Sequence, residues 1–394
     1  MYFPPGIYKV SSSIIQYYNT EMIGNPLDLP TIIAAPSFGI YMENGSGGFL
    51  SDLYFVGGKF GAYMGNQQFT ASGLYFEEAE TAIQIHWDWG WIMQNIVVDN
   101  CKTGLTIVGG AGGPMSTGQG IGSLHLTDLR FHYVTVAVST SVMADNSTAL
   151  LLSNSGFYNV NTIVEDTLKK QGFGRVTSAN GTTAFHNGAN LDSPIRNESL
   201  VTSRCKQFYT RRRPKYYNLG FSQILDAKAY RAKGDGKTDD TAVLNYLFSA
   251  AANMSAIVYV LFSVYIISDT VEILVGLRVI GQVWPQIMAT GSKFADALKP
   301  RVAVCVGLPG QVGVIEIQNM MMTVRGATAG AIMMEWNVHE SGQGSAGLWD
   351  THFRVGGAAG TDLTVKDCPK LSGKVNPNYI AASLMLHLTP DSSG

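Results

Sequence analysis

A carboxylate cluster at residues 335–340 holds the side chains best suited to acid chemistry in the second half of the chain. Glu335 stands next to Trp336, and His339 and Glu340 follow. An indole that excludes water from a carboxyl group raises its pKa, as a general acid requires. Glu335 is therefore a candidate catalytic carboxylate. The alternative is a carboxylate held by a hydrogen bond to a neighbouring strand.

A tryptophan-rich segment, residues 87–91 (WDWGW), offers binding chemistry. On a strand, Trp87, Trp89 and Trp91 would face one side, where indoles stack on the apolar faces of sugar rings. Asp88 would point the other way and could bond a sugar hydroxyl or a neighbouring strand. Burial of the indoles between two packed domains is the alternative.

These residues belong to a short-period repeat. Similar strand-like segments contain Leu53, Leu74 and Ile96, at steps of 21 and 22 residues. Strand-like units too short to bury a face alone stack into a solenoid, so we predict an all-β, right-handed parallel β-helix of the pectin-lyase-like kind. The next match, Leu129, comes after 33 residues, and the glycine-rich segment 109–113 is interpreted as an inserted loop.

Two polar segments fall at the same place in consecutive repeats. Asn66 and Asp88 each lie eight residues before a repeated apolar position. We therefore expect them on adjacent rungs, about 4.8 Å apart. Gln67 and Gln68 would then join the tryptophan segment in one patch. A stacked ladder of amide side chains is the alternative for both glutamines.

A longer repeat indicates two copies of the same fold. The segment around Tyr2 resembles the segment around Tyr259, at an offset of 257 residues, and Ile23 matches Ile280 at the same offset. The predicted organisation is a first β-helix at 1–167, a linker at 168–221 and a second β-helix at 222–394. The basic run at 211–217 is interpreted as a solvated part of the linker, and a polyanion contact is the alternative.

A turn and a helix signal precede the matched part of the second copy. Gly234 and Gly236 permit a tight turn, and Thr238 or Asp239 can cap the apolar helix that follows. A short capping helix is therefore predicted at the start of the second β-helix. Its counterpart in the first copy would fall before Met1. We therefore expect the first copy to lack its amino-terminal cap and the shorter second copy to lack its last rungs.

The composition excludes several classes of partner. The 394 residues carry a formal net charge of -2, so no general field attracts nucleic acid or an anionic membrane. No apolar run could span a bilayer, and the first residues lack a signal-peptide pattern. Against that, Asn-X-Ser/Thr triplets favour secretion; they begin at Asn44, Asn146, Asn180, Asn197 and Asn253.

Metal and cofactor chemistry is not indicated. His339 and His352 lack metal-ligand spacing with other histidines or cysteines, so no metal and no cofactor are expected. The cysteines are scattered, which favours free thiols and leaves one disulfide open; they are Cys101, Cys205, Cys305 and Cys368.

Several segments resemble fungal glycoside hydrolase family 55. They are residues 232–241, 280–288, 333–341 and 342–357 of the second copy, and residues 65–69 and 87–91 of the first. The resemblance implies two β-helices side by side with a substrate cleft between them. It also implies a secreted monomer that releases glucose from β-1,3-glucan with inversion.

The resemblance also implies roles for particular residues. Gln67 and Gln68 match side chains that hold the attacking water, and Ile92 stands where the family has a hydroxyl. The family's general acid is a glutamate of late rungs, which would lie beyond Gly394, so we expect this chain to lack it and to be inactive. Cys368 is expected to be unpaired. The substrate-binding candidates are Trp87, Asp88, Trp89, Trp91, Trp284, Trp336 and Trp349.

Other functions fit the same fold. A pectin-type polysaccharide lyase or hydrolase would need clustered aspartates for calcium or paired catalysis. The adjacent pair Asp239 and Asp240 is already explained by the helix cap. A non-catalytic carbohydrate-binding β-helix, or an enzyme that has lost its function, are further alternatives.

Overall fold

Two compact units make up the chain, Met1–Phe208 and Tyr209–Gly394. The boundary between them falls inside the predicted linker. The computed structural model describes residues 1–17, 20–34, 38–43, 47–108, 121–141, 149–168, 170–173, 181–186, 189–191, 195–204, 206–369 and 377–394. Some predicted features lie outside these residues: Cys205, the glycine-rich loop 109–113, and the triplet residues Asn44, Asn146 and Asn180.

The first unit is a parallel β-helix, as predicted. Its strands are Tyr2–Phe3, Ile7–Val10, Ile14–Gln16, Glu21–Gly24, Thr31–Ala34, Phe38–Met42, Phe49–Ser51, Tyr54–Val56, Phe60–Ser72, Tyr75–Glu77, Thr81–Gln94, Val97–Asp99, Thr103–Ile107, Ser123–Thr127, Arg130–Thr140, Ala149–Asp166, Gln171–Phe173, Gly181–His186 and Ala189–Leu191. Strands up to Ala149–Asp166 pair in parallel, and the last three pair antiparallel. A short 3-10 helix, Glu198–Leu200, follows.

The short-period repeat predicted from the sequence marks one corner of each rung. The corner residues have positive φ and are Asp52, Gly73, Asn95, Asp128 and Asn154. Glycine, asparagine and aspartate enter this left-handed region at least cost. The residue after each of the first four corners is a buried leucine or isoleucine: Leu53, Leu74, Ile96 and Leu129. The corner therefore turns the chain, and the next side chain enters the core.

Like residues stack along the core of the first unit. Phe55 lies on Phe76 with ring centroids 4.9 Å apart, and Phe131 lies on Phe157 at 5.5 Å, with both pairs nearly parallel. Each of these residues is almost fully buried. Repetition of the same side chain at the same rung position therefore builds continuous stacks along the core.

The second unit is also a parallel β-helix, with three sheets on three sides. The first sheet contains Ile224–Asp226, Ile257–Val260, Arg278–Gly281, Ile315–Gln318 and Ala346–Trp349. The second contains Asp235–Asp239, Val264–Ile267, Gln286–Ala289, Met321–Val324 and His352–Arg354. The third contains Val271–Ile273, Arg301–Val306, Ala331–Trp336 and Leu384–Leu388, and a small pair joins Val312–Gly313 to His339–Glu340. Short 3-10 helices lie at Phe221–Gln223, Ser292–Phe294 and Pro377–Tyr379.

The 257-residue repeat holds at the level of strand pairing. Tyr2 pairs with Ile23 in the first unit, and Tyr259 pairs with Ile280 in the second. The strands Ile7–Val10 and Val264–Ile267 are also separated by this offset, and each pairs in parallel with the corresponding strand of the next rung. The two copies therefore share the same rung construction.

A helix caps the second unit as predicted. It spans Thr241–Met254 and buries Leu244, Leu247, Phe248 and Ala251. Among the described residues, no helix is long and apolar enough to cross a membrane.

The details of the cap differ from the sequence prediction. Asp240, not Thr238 or Asp239, occupies the N-cap position. Its carboxylate accepts hydrogen bonds from the N–H groups of Lys233 and Gly234, at 2.7 and 2.8 Å. Asp239 accepts from the N–H of Thr241 at 3.0 Å. The acidic pair therefore organises the turn and the helix start, in line with a structural role.

Candidate functional site

The polar and tryptophan segments of the first unit lie on one pair of parallel strands, Phe60–Ser72 and Thr81–Gln94. Asn66 lies directly opposite Asp88, which confirms the prediction that they occupy adjacent rungs. Gln68 lies opposite Gly90 and is exposed, and Gln67 is half-buried. On the neighbouring strand Thr81–Gln94, no asparagine or glutamine lies opposite either glutamine. These two strands therefore do not form the predicted ladder of stacked amide side chains.

The three tryptophans of this segment do not share one face. Trp91 is 1% exposed in the core, where its Nε1 donates to the carbonyl oxygen of Asn66 at 3.1 Å. Trp87 is 2% exposed, whereas Trp89 is 48% exposed. Strict alternation fails because the inward side chains here are Asp88 and Trp91, three residues apart. Of these three indoles, Trp89 alone is exposed to solvent.

Asp88 is fully buried and contacts backbone rather than solvent. Its Oδ1 accepts hydrogen bonds from the N–H groups of Gly122 and Ser123, both at 3.1 Å. Its Oδ2 has no hydrogen-bond partner among the described residues. Burial raises the pKa of Asp88 to about 7, because the two N–H groups offset only part of the desolvation cost. The suggestion that Asp88 bonds a sugar hydroxyl is therefore corrected: it joins neighbouring rungs.

A β-bulge at His86 precedes this segment and was not foreseen. Ile85 pairs with Met64 and Trp87 pairs with Gly65, so His86 is the extra residue. The imidazole stacks on Tyr63, with ring centroids 4.5 Å apart. Burial lowers the pKa of His86 despite the nearby Glu43 carboxylate, so the neutral imidazole is favoured. Bulges often redirect side chains beside binding sites.

The position where the resemblance implies a hydroxyl is on the exposed side of the same strand pair. Ile92 is 49% exposed. It lies opposite Thr70 on one neighbouring rung and His125 on the other. The nearest rung neighbours of Ile92 thus include a hydroxyl and an imidazole, although Ile92 itself has neither.

In the second unit, Glu335 belongs to a polar column on the third sheet. Cys305, Glu335 and His387 lie opposite one another on three successive rungs. Glu335 Oε2 lies 2.9 Å from His387 Nδ1, and its Oε1 accepts a hydrogen bond from Asn337 Nδ2 at 3.2 Å. Burial and the neighbouring carboxylates of Glu335 and Glu272 raise the pKa of Cys305. This thiol is therefore poorly suited to act as a nucleophile.

Trp336 does not desolvate Glu335 as the sequence suggested. It lies on the opposite side of the strand, in the core, and its Nε1 donates to the carbonyl oxygen of Ser393 at 3.2 Å. Successive side chains of a strand point to opposite faces. Trp336 is therefore removed from the substrate-binding candidates.

Trp284 lies at a strained corner of the second unit. Both Val283 and Trp284 have positive φ, which is unusual for bulky side chains. Trp284 Nε1 donates to Asp350 Oδ2 at 2.8 Å, and His352 approaches the indole edge-on at 5.0 Å. A half-buried indole with a carboxylate and an imidazole beside it can both stack on a sugar and bond its hydroxyls.

Trp349 contacts Arg211 of the basic run 211–217, for which the sequence predicts a solvated linker. Its Nε1 donates to the carbonyl oxygen of Arg211 at 3.1 Å, and the Arg211 guanidinium lies over the indole. Arg211 also forms an ion pair with the buried Glu316. Trp349 is therefore a packing partner of this segment, and Arg211 is not a free cation.

Glu316 is the centre of a network that sequence reasoning missed. Its carboxylate accepts hydrogen bonds from Tyr216 OH at 2.6 Å and Arg278 Nε at 3.2 Å, besides Arg211. Gln318 accepts from Arg213 Nε at 3.0 Å and donates to Tyr216 OH at 2.9 Å. The signal was present in the sequence, because Glu316 and Gln318 alternate with apolar residues and mark one polar face.

The described residues contain no group of three or more histidine, cysteine, aspartate or glutamate side chains arranged to hold a metal ion. Cys101, Cys305 and Cys368 are free. The structure therefore leaves three separate candidate regions: Gln67, Gln68 and Trp89 on the first unit, and, on different sheets of the second, Glu335 and the Trp284 corner.

Comparison with known families matches the first unit. A family model described as "Rhamnogalacturonase A/epimerase, pectate lyase-like" matches residues 1–39 and 37–106. The matched region includes the paired strands that carry Gln68 and Trp89. This agreement supports the parallel β-helix fold.

Curated relatives match along the whole chain. Two proteins of Penicillium expansum, named "Non-secreted LysM effector LysM15" and "Non-secreted LysM effector LysM19", are each 45% identical, and the alignments cover 100% of this chain. A protein of Cochliobolus carbonum named "Glucan 1,3-beta-glucosidase" is 29% identical, also over 100% of this chain. The chain spans 34%, 38% and 60% of the length of these three proteins, respectively.

Proposed function

We propose that this protein is a hydrolase that releases glucose from the ends of β-1,3-glucan with inversion at the anomeric carbon. One observation carries the proposal: the whole chain is similar to a protein named glucan 1,3-beta-glucosidase. The exposed glutamine and indole of the first unit supply chemistry that suits a neutral sugar.

In this proposal, Gln67 and Gln68 hold the attacking water and Trp89 stacks on a sugar ring. Gln68 and Trp89 are exposed on the paired strands, so a ligand can reach both. Amide groups donate and accept hydrogen bonds and carry no charge, which suits the orientation of a water molecule. Trp87, Asp88 and Trp91 support these side chains from buried positions.

Glu335 is the carboxylate that we assign to the second unit. Inverting hydrolysis requires one carboxylic acid and one carboxylate base. Asn337 donates a hydrogen bond to Glu335 Oε1, and His387 Nδ1 lies within hydrogen-bond distance of Glu335 Oε2. These contacts fix the orientation of the Glu335 carboxyl group, and the second carboxyl group that inversion needs is not assigned in this chain. The Trp284 corner is proposed to bind sugar in the same unit.

The proposal includes secretion. The triplet residue Asn253 is exposed at the end of the capping helix, where a glycan could be attached. The names of two relatives oppose this part, because they contain the word "Non-secreted". Immunodetection in culture medium and in cell lysate decides between the two locations.

A second candidate is a carbohydrate-binding protein without catalytic activity. It is favoured by the two relatives at 45% identity, which are named effectors and not hydrolases. Ile92 in place of a hydroxyl also favours it. Binding of laminarin without release of sugar would support this candidate over the hydrolase.

The test incubates the purified protein with laminarin and, separately, with polygalacturonate. The hydrolase proposal predicts glucose from laminarin and no product from polygalacturonate. Absence of glucose would instead agree with the expectation from the family resemblance that this chain lacks the general acid and is inactive. Glu335→Gln should lower the rate at least 10-fold. Glu272→Gln, two rungs away in the same column, should leave it unchanged. Product from polygalacturonate alone would instead indicate a pectin-type enzyme, and equal rates for the two variants would remove Glu335 from the mechanism.

A further inference from the structure

A surface group of aromatic and polar side chains lies on the first unit, on strands other than the pair that carries Gln68 and Trp89; Tyr133 and Tyr158 are exposed and the other members are half-buried. We call it the tyrosine face, and it consists of Tyr75, Asp99, His132, Tyr133 and Tyr158. Asp99, His132 and Tyr158 lie opposite one another on three successive rungs. The proposed hydrolysis uses none of these residues.

Tyr133 is held in an unfavourable backbone conformation at the surface. Its φ is 53°, and it occupies a corner column whose members all have positive φ: Gly57, Glu78, Asn100, Tyr133 and Asn159. Glycine and asparagine tolerate this region, whereas a bulky aromatic residue is strained there. The Tyr133 side chain is 54% exposed, so burial does not compensate for the strain. Strain of this kind often accompanies function.

Tyr158 fixes the orientation of Tyr133. The two rings meet edge to face with centroids 5.3 Å apart. The neighbouring Tyr158 hydroxyl is the main cause of a raised pKa for Tyr133. Tyr158 is itself 40% exposed. The pair thus presents ordered aromatic surface to solvent.

Hydrogen-bonding groups adjoin this aromatic surface. Tyr75 OH donates to Asp99 Oδ2 at 2.9 Å, and His132 Nδ1 lies 3.8 Å from the same oxygen. Aromatic rings beside carboxylate and imidazole groups form the combination that binds the apolar faces and the hydroxyls of sugars.

The local charge favours a neutral sugar over an anionic one. The carboxylates of Glu77 and Asp99 lie opposite each other on neighbouring rungs. The nearby Arg130 guanidinium already donates to the carbonyl oxygens of Leu129 and Asn154, both at 2.9 Å. A uronate or phosphate would therefore meet negative charge without a free cation from Arg130.

We propose that the tyrosine face is a second carbohydrate-binding surface, which holds a neutral β-glucan chain apart from the hydrolytic site. The choice of glucan rests on the proposed function, whereas the neutral character of the ligand rests on the charges described above. The rungs are about 4.8 Å apart, and one chain running across four of them would contact Tyr75 on the first, Asp99 on the second, His132 on the third and Tyr158 on the fourth.

The test measures laminarin affinity by gel retardation, in a Trp89→Ala, Trp284→Ala background that removes both other proposed sugar-binding indoles, so that the remaining binding reports on this surface. Tyr133→Asn should weaken retardation at least 5-fold. The Tm of this variant should be unchanged or about 2 °C higher, because asparagine relieves the backbone strain. Tyr158→Ala should also weaken binding. Tyr246→Ala, which removes an exposed tyrosine of the second unit, is the control and should bind as the background does.

Unchanged retardation of Tyr133→Asn would overturn the inference, as would a Tm loss that indicates a packing role for Tyr133. Retardation by polygalacturonate as strong as by laminarin would also overturn it. These results are independent of the hydrolase test: glucose release with normal binding by Tyr133→Asn refutes only the second surface. If Tyr133→Asn weakens binding but the unsubstituted protein releases no glucose, only the hydrolase proposal is refuted.

Discussion

Asp88 lies directly opposite Asn66 on the neighbouring rung, and both side chains are buried. Asn66 is already engaged, because its Nδ2 contacts Met42 Sδ at 3.1 Å and its Oδ1 accepts from the N–H of Gln67 at 2.7 Å. One oxygen of Asp88 therefore has no described donor, and its protonated form is favoured. This buried acid makes the stability of the first unit depend on pH.

We predict that the first unit loses stability as the pH rises from about 4 to about 7. The folded pKa of Asp88 is about 7, above its ordinary value of 3.8. In this window the folded state therefore binds more protons than the unfolded state, and the free energy of unfolding falls by up to about 1.4 kcal/mol per pH unit. Denaturant unfolding at pH 4.5 and pH 8 measures the slope. Asp88→Asn should reduce it.

Asp235→Asn is the matched control for this slope. Hydrogen bonds from Thr238 and Lys237 hold the pKa of Asp235 at about 2. Its contribution is complete above pH 4 and is lost only as the pH falls towards 2, so the variant should leave the slope between pH 4.5 and 8 unchanged. An Asp88→Asn slope equal to that of the wild type would contradict the assignment.

Gly65→Ala should destabilise the first unit by about 1–3 kcal/mol, because there is no space for a methyl group. A Cβ at Gly65 would lie 2.3 Å from Trp87 Nε1 and 2.4 Å from His86 Nε2. Gly90→Ala is the control, since no atom lies within 4 Å of the position that its Cβ would take. Thermal unfolding followed by circular dichroism should show a lower Tm for the first variant alone. Equal Tm values would mean that His86 and Trp87 can shift at little energetic cost to make room for the methyl group.

Glu316→Gln should destabilise the second unit by about 1–3 kcal/mol. The change leaves Arg211 and Arg278 without their shared carboxylate, and the cost is moderated because both arginines are about a third exposed. Asp269→Asn removes an exposed carboxylate that also pairs with two cations, and it should cost less. Denaturant unfolding compares them. The reverse order would show that the Glu316 network is not what holds the basic segment.

Ile92→Thr should raise laminarin hydrolysis about 10-fold above Ile92→Val, if a hydroxyl at this position helps Gln67 and Gln68 to hold the attacking water. Threonine and valine have nearly the same shape, so the pair isolates one hydrogen bond, worth about 1.4 kcal/mol. Initial rates of glucose release provide the measurement. Equal rates in the two variants would count against a water site beside Ile92.

Much of the fold could be predicted from the sequence, because a β-helix repeats the same local solution. Recurrent apolar residues such as Leu53 and Leu74 mark the rung corners. The 257-residue offset between Tyr2 and Tyr259 marks equivalent strands in the two units. The capping helix followed from a local turn signal.

The site was predicted less completely, because side-chain direction depends on irregularities. Alternation predicts one face for Trp87, Trp89 and Trp91. The bulge at His86 breaks this alternation, so Trp87 and Trp91 are buried and Trp89 is exposed. The partners of Arg211 lie 105 residues away at Glu316, and such long-range pairing leaves no local signal in the basic run.

A proton NMR time course of laminarin digestion by the purified protein tests the proposed inverting hydrolysis directly. Inversion at the anomeric carbon should release α-glucose first, and β-glucose should follow only by mutarotation. Initial release of β-glucose would contradict inversion. Bound laminarin without any glucose would contradict hydrolysis itself.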